Sequence, residues 1–527
     1  MELRPAHRHP AARTAPAHGA VRASGPVLLL VLALLVYRPW IAAPFSTLDF
    51  GEFLPLLRAH GPVGGFLALV RYFAGHGRST WLTYGFISFN WLVVGDRAHG
   101  WDLLRFVLML GVVALAYRLM RRLGCSRTGA TAGAALLVVG SPAQGAWTRM
   151  TGEPLGLAAL LGASLLALDY RAARRWLPRA AAIALLVAAA VMAKEVLAVG
   201  ALPVVVLAAC WRPGRGLRPP RLDRRTVAVV GLVSAAVAAT AVIVLATLAR
   251  VEADGYAQSY GRAALTTFRY RLYLRFMGLP LTRTGPDAVR VVAALLGSVA
   301  ALGWALLLHR ARTRDARLLA LLLLLLVPAM GAAVFLPWPV MERFYAFPFS
   351  AGPAVLLAVG VTALLRRSRP VWVIAPVAGA LALCTADAAA FANEARAVRL
   401  VNGDLARELA RMPAGDTVFV AVRRLEGHAW TGPGATLQRY LTGVRRMPAH
   451  AAPVLADLHC ARAAERLRQS PRPVGMIAYN QDCPKLTGPA RVVSRTYGAV
   501  DLLSLSRVES PYLVRIWPPT TAAAGGP

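Results

Sequence analysis

Four short stretches combine charged and aromatic residues in patterns suited to chemistry. The first is Thr47-Leu48-Asp49-Phe50-Gly51-Glu52, where two carboxylates three residues apart would share one face of a helical turn. Such carboxylates can deprotonate a hydroxyl or hold a divalent cation, and a solvated helix start reads equally well. The second stretch covers residues 147–154, where Arg149 and Glu153 stand at the i, i+4 spacing of an ion pair at a helix end. The third is Lys194-Glu195, a charged pair inside an apolar stretch, where charge is costly without a partner or substrate. The fourth covers residues 337–348, in which Glu342, Arg343 and Tyr345 lie between prolines and aromatics. A planar guanidinium in that setting suits a phosphate, and an interfacial aromatic belt is the plainer reading. His60, His76 and His99 lack the spacing of metal ligands and read as interfacial residues.

The elements that position these residues are membrane spans. The 527 residues are 57% hydrophobic and 16% charged, with a mean hydropathy of +0.52, a balance suited to a bilayer and not to a soluble globule. Apolar runs that can cross about 30 Å of hydrocarbon occur at 26–42, 102–120, 129–147, 154–169, 179–193, 196–211, 226–248, 289–308, 316–336, 350–365 and 371–391. The expected fold is therefore an α-helical polytopic membrane protein of about eleven transmembrane helices.

The net charge of +34 would suggest nucleic acid in a soluble protein, but its distribution does not. Arginines cluster in the N-terminal tail (Arg4, Arg8, Arg13, Arg22) and at 118–127, 171–179, 212–225, 310–317 and 366–369, alternating with arginine-poor connections. All six clusters fall on one side of the membrane, so the positive-inside bias makes the tail 1–25 cytoplasmic and the C-terminus extracytoplasmic. The first run reads as a retained anchor, because ten more spans follow it. The apolar stretch 180–211 has to cross twice, turning outside at Lys194-Glu195, since a single crossing would put its flanking arginine clusters on opposite sides.

Outside the membrane the sequence predicts a large first loop, 43–100, with an amphipathic helix around residues 54–73 lying in the interface plane. Residues 392–527 lose the apolar runs and alternate helix-like stretches (393–412, 451–468) with strand-like ones (417–422, 474–479, 500–505), which predicts a small extracytoplasmic α/β domain. Cys460 and Cys483 are the two cysteines of that domain and can form a disulfide in an oxidising compartment.

The order of these features resembles the GT-C superfamily of membrane glycosyltransferases, which includes protein O-mannosyltransferases and lipid A aminoarabinose transferases. An acidic residue after the first span (Asp49, with Glu52) precedes an interfacial helix. The stretch from Trp91-Leu92-Val93-Val94-Gly95-Asp96 to Leu103-Leu104-Arg105-Phe106 is similar to the family's approach to its second span. Met192-Ala193-Lys194-Glu195 is similar to the family's AKE turn, and Glu342-Arg343-Phe344-Tyr345-Ala346-Phe347-Pro348 to its ERYLYLP segment. Two features depart from the pattern. Asp49 is followed by Phe50, where many relatives carry a second acidic residue, and His76-Gly77-Arg78-Ser79-Thr80-Trp81 stands where an HPPL-like stretch is common.

The resemblance implies a plasma-membrane enzyme of the bacterial cell envelope that moves a hexosyl or pentosyl group from a polyprenyl-phosphate donor to a hydroxyl of an acceptor glycan, lipid or protein on the outer face. On that reading Asp49 is the base, with Glu52 a second carboxylate. Lys194, Arg343 and Arg149 neutralise the departing lipid phosphate, and Tyr345 hydrogen-bonds it. The sequence does not require a metal cofactor, although a divalent cation at the carboxylates fits the same chemistry. Two other classes share some of these features: a transporter or lipid flippase with intramembrane charge, and a non-catalytic envelope scaffold presenting residues 392–527.

Overall fold

A computed structural model describes residues 17–41, 43–45, 50–212, 216–217, 223–249, 347–366, 368–411, 417–421, 437–451, 454–457, 475–479, 491–501 and 506–517. The expected spans 289–308 and 316–336, the residues Asp49, Glu342, Arg343 and Tyr345, and the cysteines Cys460 and Cys483 lie outside the described residues. The helices, in chain order, are α1 (Ala17–Ile41), α2 (Phe50–Gly75), α3 (Trp81–Val94), α4 (Ala98–Arg122), α5 (Arg127–Val139), α6 (Ser141–Thr148), α7 (Glu153–Asp169), α8 (Trp176–Ala193), α9 (Ala201–Cys210), α10 (Arg224–Leu248), α11 (Ala351–Leu365) and α12 (Pro370–Leu409).

Among the described residues seven helices are long and apolar enough to cross a membrane by length and composition, a count that includes α2 although it is broken within, or eight if the bent pair α6–α7 is one span. Their outward faces carry large apolar side chains: Leu35 is 70% exposed, Leu185 71% and Val242 65%. Water would penalise such surfaces and lipid covers them at no cost, so the chain is a multi-pass membrane protein. One main core of buried side chains joins α1, α4, α5, α7, α8, α9, α10, α11 and α12, and a second core, built on Phe50, Leu54, Leu57, Tyr84, Ile87 and Trp101, belongs to α2, α3 and the start of α4.

Among the described residues, the arginine-rich connections after α4, α7 and α9 and at the end of α11 meet at one end of the bundle. Arg122 at the end of α4 pairs with Asp169 at the end of α7. The Ser126 N–H, before α5, donates to Thr362 Oγ1 near the end of α11 at 2.8 Å. Arg171 donates to Asp223 Oδ2, at the start of α10, at 2.7 Å and to the Ala208 carbonyl, near the end of α9, at 3.1 Å. Asp223 caps α10 through the Thr226 N–H. Burial pushes the Asp223 carboxyl up, but the Thr226 and Arg171 hydrogen bonds prevail and hold it at about 2.

The apolar stretch after Arg179 is two antiparallel segments. The start of α8 and the end of α9 both lie at this arginine end, where Arg225 covers Trp176 and donates to the Arg171 carbonyl. Lys194, between them, lies at the far end of α7 against Glu153. The chain breaks helix at Lys194 (φ −160°, ψ 120°) and continues through a 3-10 segment, Glu195–Gly200, into α9.

Three expectations are corrected. The run 129–147 is not one helix: Gly140 is extended and Pro142 starts a new helix, so α5 ends at Val139 and α6 folds back, its Trp147 indole donating to the Leu137 carbonyl at 3.0 Å. The first loop holds two helices where one was expected. Its α2 is broken at Gly61, whose φ of 68° and ψ of −174° only glycine adopts readily. Its two parts, 50–60 and 62–75, reach about 16 and 21 Å at 1.5 Å per residue, too short to cross singly. Finally, α12 runs unbroken for 40 residues, merging the last expected span with the expected helix 393–412. At about 60 Å it extends well past the bilayer thickness.

Beyond α12 the strands Thr417–Ala421 (β3), Val454–Asp457 (β4), Gly475–Tyr479 (β5), Arg491–Asp501 (β6) and Ser506–Trp517 (β7) form one sheet in the order β4-β3-β5-β7-β6. The parallel pairs β3–β4 and β3–β5 give way to antiparallel β5–β7 and β6–β7. The stretches 417–421 and 475–479 are strands where the sequence reads strand-like. Residues 454–457 are strand where helix was expected; of the strand-like stretch 500–505, Val500 and Asp501 are the end of β6 and the rest lies outside the described residues. A two-stranded pair, Trp211–Arg212 (β1) with Gly216–Leu217 (β2), follows α9.

Candidate functional site

At the end of the bundle opposite the arginines, the break after α8 meets the start of α7. Glu153 is 1% exposed there and faces the Lys194 ammonium at 3.5 Å. Glycines make this approach feasible: a Cβ on Gly152 would stand 2.2 Å from the Ala193 carbonyl oxygen and from Thr83 Oγ1, and one on Gly156 would stand 2.1 Å from Leu197. The expected local pairing of Arg149 with Glu153 is therefore replaced by a pairing across helices. Arg149 is extended (φ −130°, ψ 149°) after α6, so no helical turn connects it to Glu153, although it stays within the same connection.

Helix α3 covers this junction from the first loop. Thr83 donates through Oγ1 to the Ala193 carbonyl at 2.8 Å, and the Ser79 N–H donates to Glu195 Oε1 at 3.2 Å. Asn90, fully buried, places its amide against Met150 Sδ at 3.8 Å. Lys194, Glu195, Glu153 and the Arg149 connection thus converge, and the histidine-containing turn 76–81 sits over them.

Glu52 joins this end through α2. It lies in the helix's first turn and pairs with Arg439. Burial raises its carboxyl above the ordinary value, opposed by the charges of Arg439, His76 and Arg78. Tyr84 of α3 is buried, and burial, with smaller contributions from Glu195 and Glu52, pushes its hydroxyl above the ordinary value. Between α2, α3 and α8 runs an apolar groove of about 390 Å³ lined by Phe66, Trp81, Leu82, Ala188 and Met192, whose last residue is two positions from Lys194. Among the described residues no three His, Cys, Asp or Glu side chains gather where they could hold a metal ion.

Two ionic clusters at this end escaped the sequence reading. Asp102 and Arg399, 1% and 2% exposed, pair at 3.1 Å. Arg399 also lies 4.2 Å above the Trp40 ring and donates to the Pro44 carbonyl at 3.0 Å, and Arg105 covers the same ring at 4.9 Å. Asp96 accepts hydrogen bonds from Arg58 and Arg446. Burial pushes the Asp96 carboxyl up, yet the hydrogen bonds and charges of Arg58 and Arg446 hold it below the ordinary value. A signal for the first cluster existed in Asp102 and Arg105, ionisable residues one turn apart at the start of an apolar run. Arg399 and Arg446 carry none, because nothing local distinguishes them from other arginines. A buried Gln144 also donates to Asp387 of α12 at 2.7 Å.

No protein-family model matches the chain, and no curated protein matches it in sequence. Solved structures do resemble it. ArnT from Cupriavidus metallidurans bound to undecaprenyl phosphate is 14% identical at a TM-score of 0.47, with 96% of this chain and 99% of that one covered. The oligosaccharyltransferase of Archaeoglobus fulgidus is 13% identical at a TM-score of 0.42, covering 82% and 62%. The arabinofuranosyltransferase AftD from Mycobacteria is 16% identical at a TM-score of 0.44, covering 95% and 41%.

Proposed function

We propose that this chain is an integral membrane glycosyltransferase that transfers a sugar from a polyprenyl-phosphate donor to an acceptor hydroxyl on the extracytoplasmic face. The observation that carries the reading is the meeting of Lys194, Glu153 and Glu195 beneath the first loop. An apolar groove, one of whose lining residues, Met192, precedes Lys194 by two positions in the chain, suits the isoprenoid tail of an amphiphile with an anionic head. The site lies at the end opposite the arginine clusters, which the positive-inside bias makes the outer one. In the same reading, eleven spans put the N-terminus in the cytoplasm of a plasma-membrane protein and residues 392–527 outside as an α/β domain.

The chemistry then balances as follows. Asp49 takes the proton of the acceptor hydroxyl, with Glu52, in the first turn of α2, as a second carboxylate. The acceptor oxygen bonds to the anomeric carbon, the bond from that carbon to the phosphate oxygen breaks, and polyprenyl phosphate leaves with the electron pair. Lys194, Arg343 and Arg149 stabilise the charge gathering on the phosphate, and Tyr345 donates to it. Glu153 holds the Lys194 ammonium in place, while Glu195 ties the turn to the first loop and Glu342 serves the same purpose beside Arg343. A divalent cation bound by the carboxylates would add charge stabilisation to the same step.

The test is release of free polyprenyl phosphate from a panel of polyprenyl-phosphate monosaccharides by the purified protein, with a membrane extract supplying acceptor. Turnover of one donor by wild type and not by Asp49→Asn supports the transferase and its base. If no donor is consumed while lipid or solute crosses reconstituted vesicles, the chain is a transporter instead.

A further inference from the structure

Two arginines at the outer end do not belong to the residues proposed to act on substrate, and both come from the last third of the chain. Arg399, on the part of α12 that extends past the bilayer, is buried between Asp102 and Trp40 and donates to the Pro44 carbonyl at 3.0 Å. Arg439 belongs to a short segment, 437–446, helical as far as Val444, that lies across the first half of α2, and it pairs with Glu52. Pro44 stands three residues after α1 and Glu52 lies in the first turn of α2. The α1–α2 connection is thus flanked on both sides by residues held by an arginine from beyond residue 390.

The segment 437–446 is fixed independently of that contact. Leu437, Tyr440 and Leu441 are buried at 0–1% exposure. Gly443 lies so close to α2 that a Cβ would stand 2.5 Å from the Gly51 carbonyl oxygen. Arg58 of α2 donates to the carbonyls of Gly443 and Val444, and Arg58 and Arg446 share Asp96. Arg446 takes a φ of 60°, an unfavourable conformation for a side chain with a Cβ that its bond to Asp96 helps to hold.

Stability alone is a poor reason for the Asp102–Arg399 pair, since buried ion pairs return little more than the desolvation they cost and apolar side chains serve as well. What such a pair supplies is a defined geometry for the groups it touches. We propose that Arg399 and Arg439 are positioning residues that pin the connection between α1 and α2 from both sides and so set Glu52, making the C-terminal third of the chain part of the active centre. This rests on the transferase reading above.

The experiment uses the full chain in lipid nanodiscs and compares wild type with Arg439→Gln, Arg439→Lys, Arg399→Gln and, as a control, Arg411→Gln, an exposed residue paired with Glu408. Amide hydrogen exchange across residues 43–60 is measured beside kcat and KM for the lipid donor. Arg439→Gln is expected to speed exchange in that segment alone and to lower kcat by about a hundredfold, the scale of a displacement near 1 Å, with donor KM within about twofold. Arg439→Lys restores part of kcat, and the control matches wild type. Arg399→Gln risks misfolding, so the half-exposed Arg439 decides. Unchanged exchange, or a loss of activity that merely follows the folded fraction, overturns the proposal. If wild type consumes no donor, the transferase reading falls, whereas the exchange measurement still shows whether the arginines pin the loop.

Discussion

The Lys194–Glu153 pair carries most of the chemistry visible at single residues. Glu153 is 1% exposed, so removing its partner leaves a carboxylate buried without compensation. Lys194→Met is expected to cost about 3 kcal/mol of stability and to abolish donor turnover. Adding Glu153→Gln should recover much of the stability without activity, as read by thermal unfolding and polyprenyl phosphate release. Recovery of turnover in the double variant would assign Lys194 a structural role only. The sequence singled out both residues as charges in improbable places, but it paired Glu153 with Arg149, because the i, i+4 spacing reads as helical. The backbone around Met150 and Gly152 leaves the helix, and the pairing goes with it.

Two glycines govern how the elements meet. Gly61 breaks α2 with a φ of 68°, and a Cβ there would touch nothing within 4 Å. Gly61→Ala therefore isolates backbone strain and should cost about 1–2 kcal/mol. Gly152→Ala acts by collision instead, pressing α7 off the end of α8, and should cost about 1–3 kcal/mol together with activity. Thermal unfolding in nanodiscs reads both costs, and polyprenyl phosphate release separates the two, since only Gly152→Ala displaces Lys194. The segment 437–446 responds to pH through Asp96. A carboxyl whose pKa is lowered in the folded chain adds stability that is present above its unfolded value and fades as pH falls through the folded one. Asp96→Asn should thus weaken docking of 437–446 near neutral pH and match wild type well below pH 4, as followed by proteolytic cleavage near Arg445. A constant difference across that range would show that Asp96 contributes no charge to the contact.

For the whole molecule the prediction is orientation. Single cysteines replacing Arg174, at the arginine end, and His60, on the first loop, should be labelled by a membrane-impermeant maleimide from opposite sides of intact cells, His60 from outside. Labelling of both from one side would remove the outer location of the site and, with it, the use of a donor flipped to that face.

The membrane class, the gathering of arginines at one end and the helix break at Lys194 were all legible in the sequence. Each depends on local hydropathy and charge, which act over a few turns of chain and must hold whatever the neighbours are. The extent of α12, the breaks at Gly140 and Gly61, and the second helix of the first loop were legible only in part, since turn residues mark where a helix can end and packing determines whether it does. The partners were not legible. Arg399 meets Asp102 and Pro44, and Arg439 meets Glu52, across some 300 to 390 positions of chain. No periodicity encodes such pairs, because they exist only once the bundle, the extended α12 and the segment 437–446 have closed over the first loop.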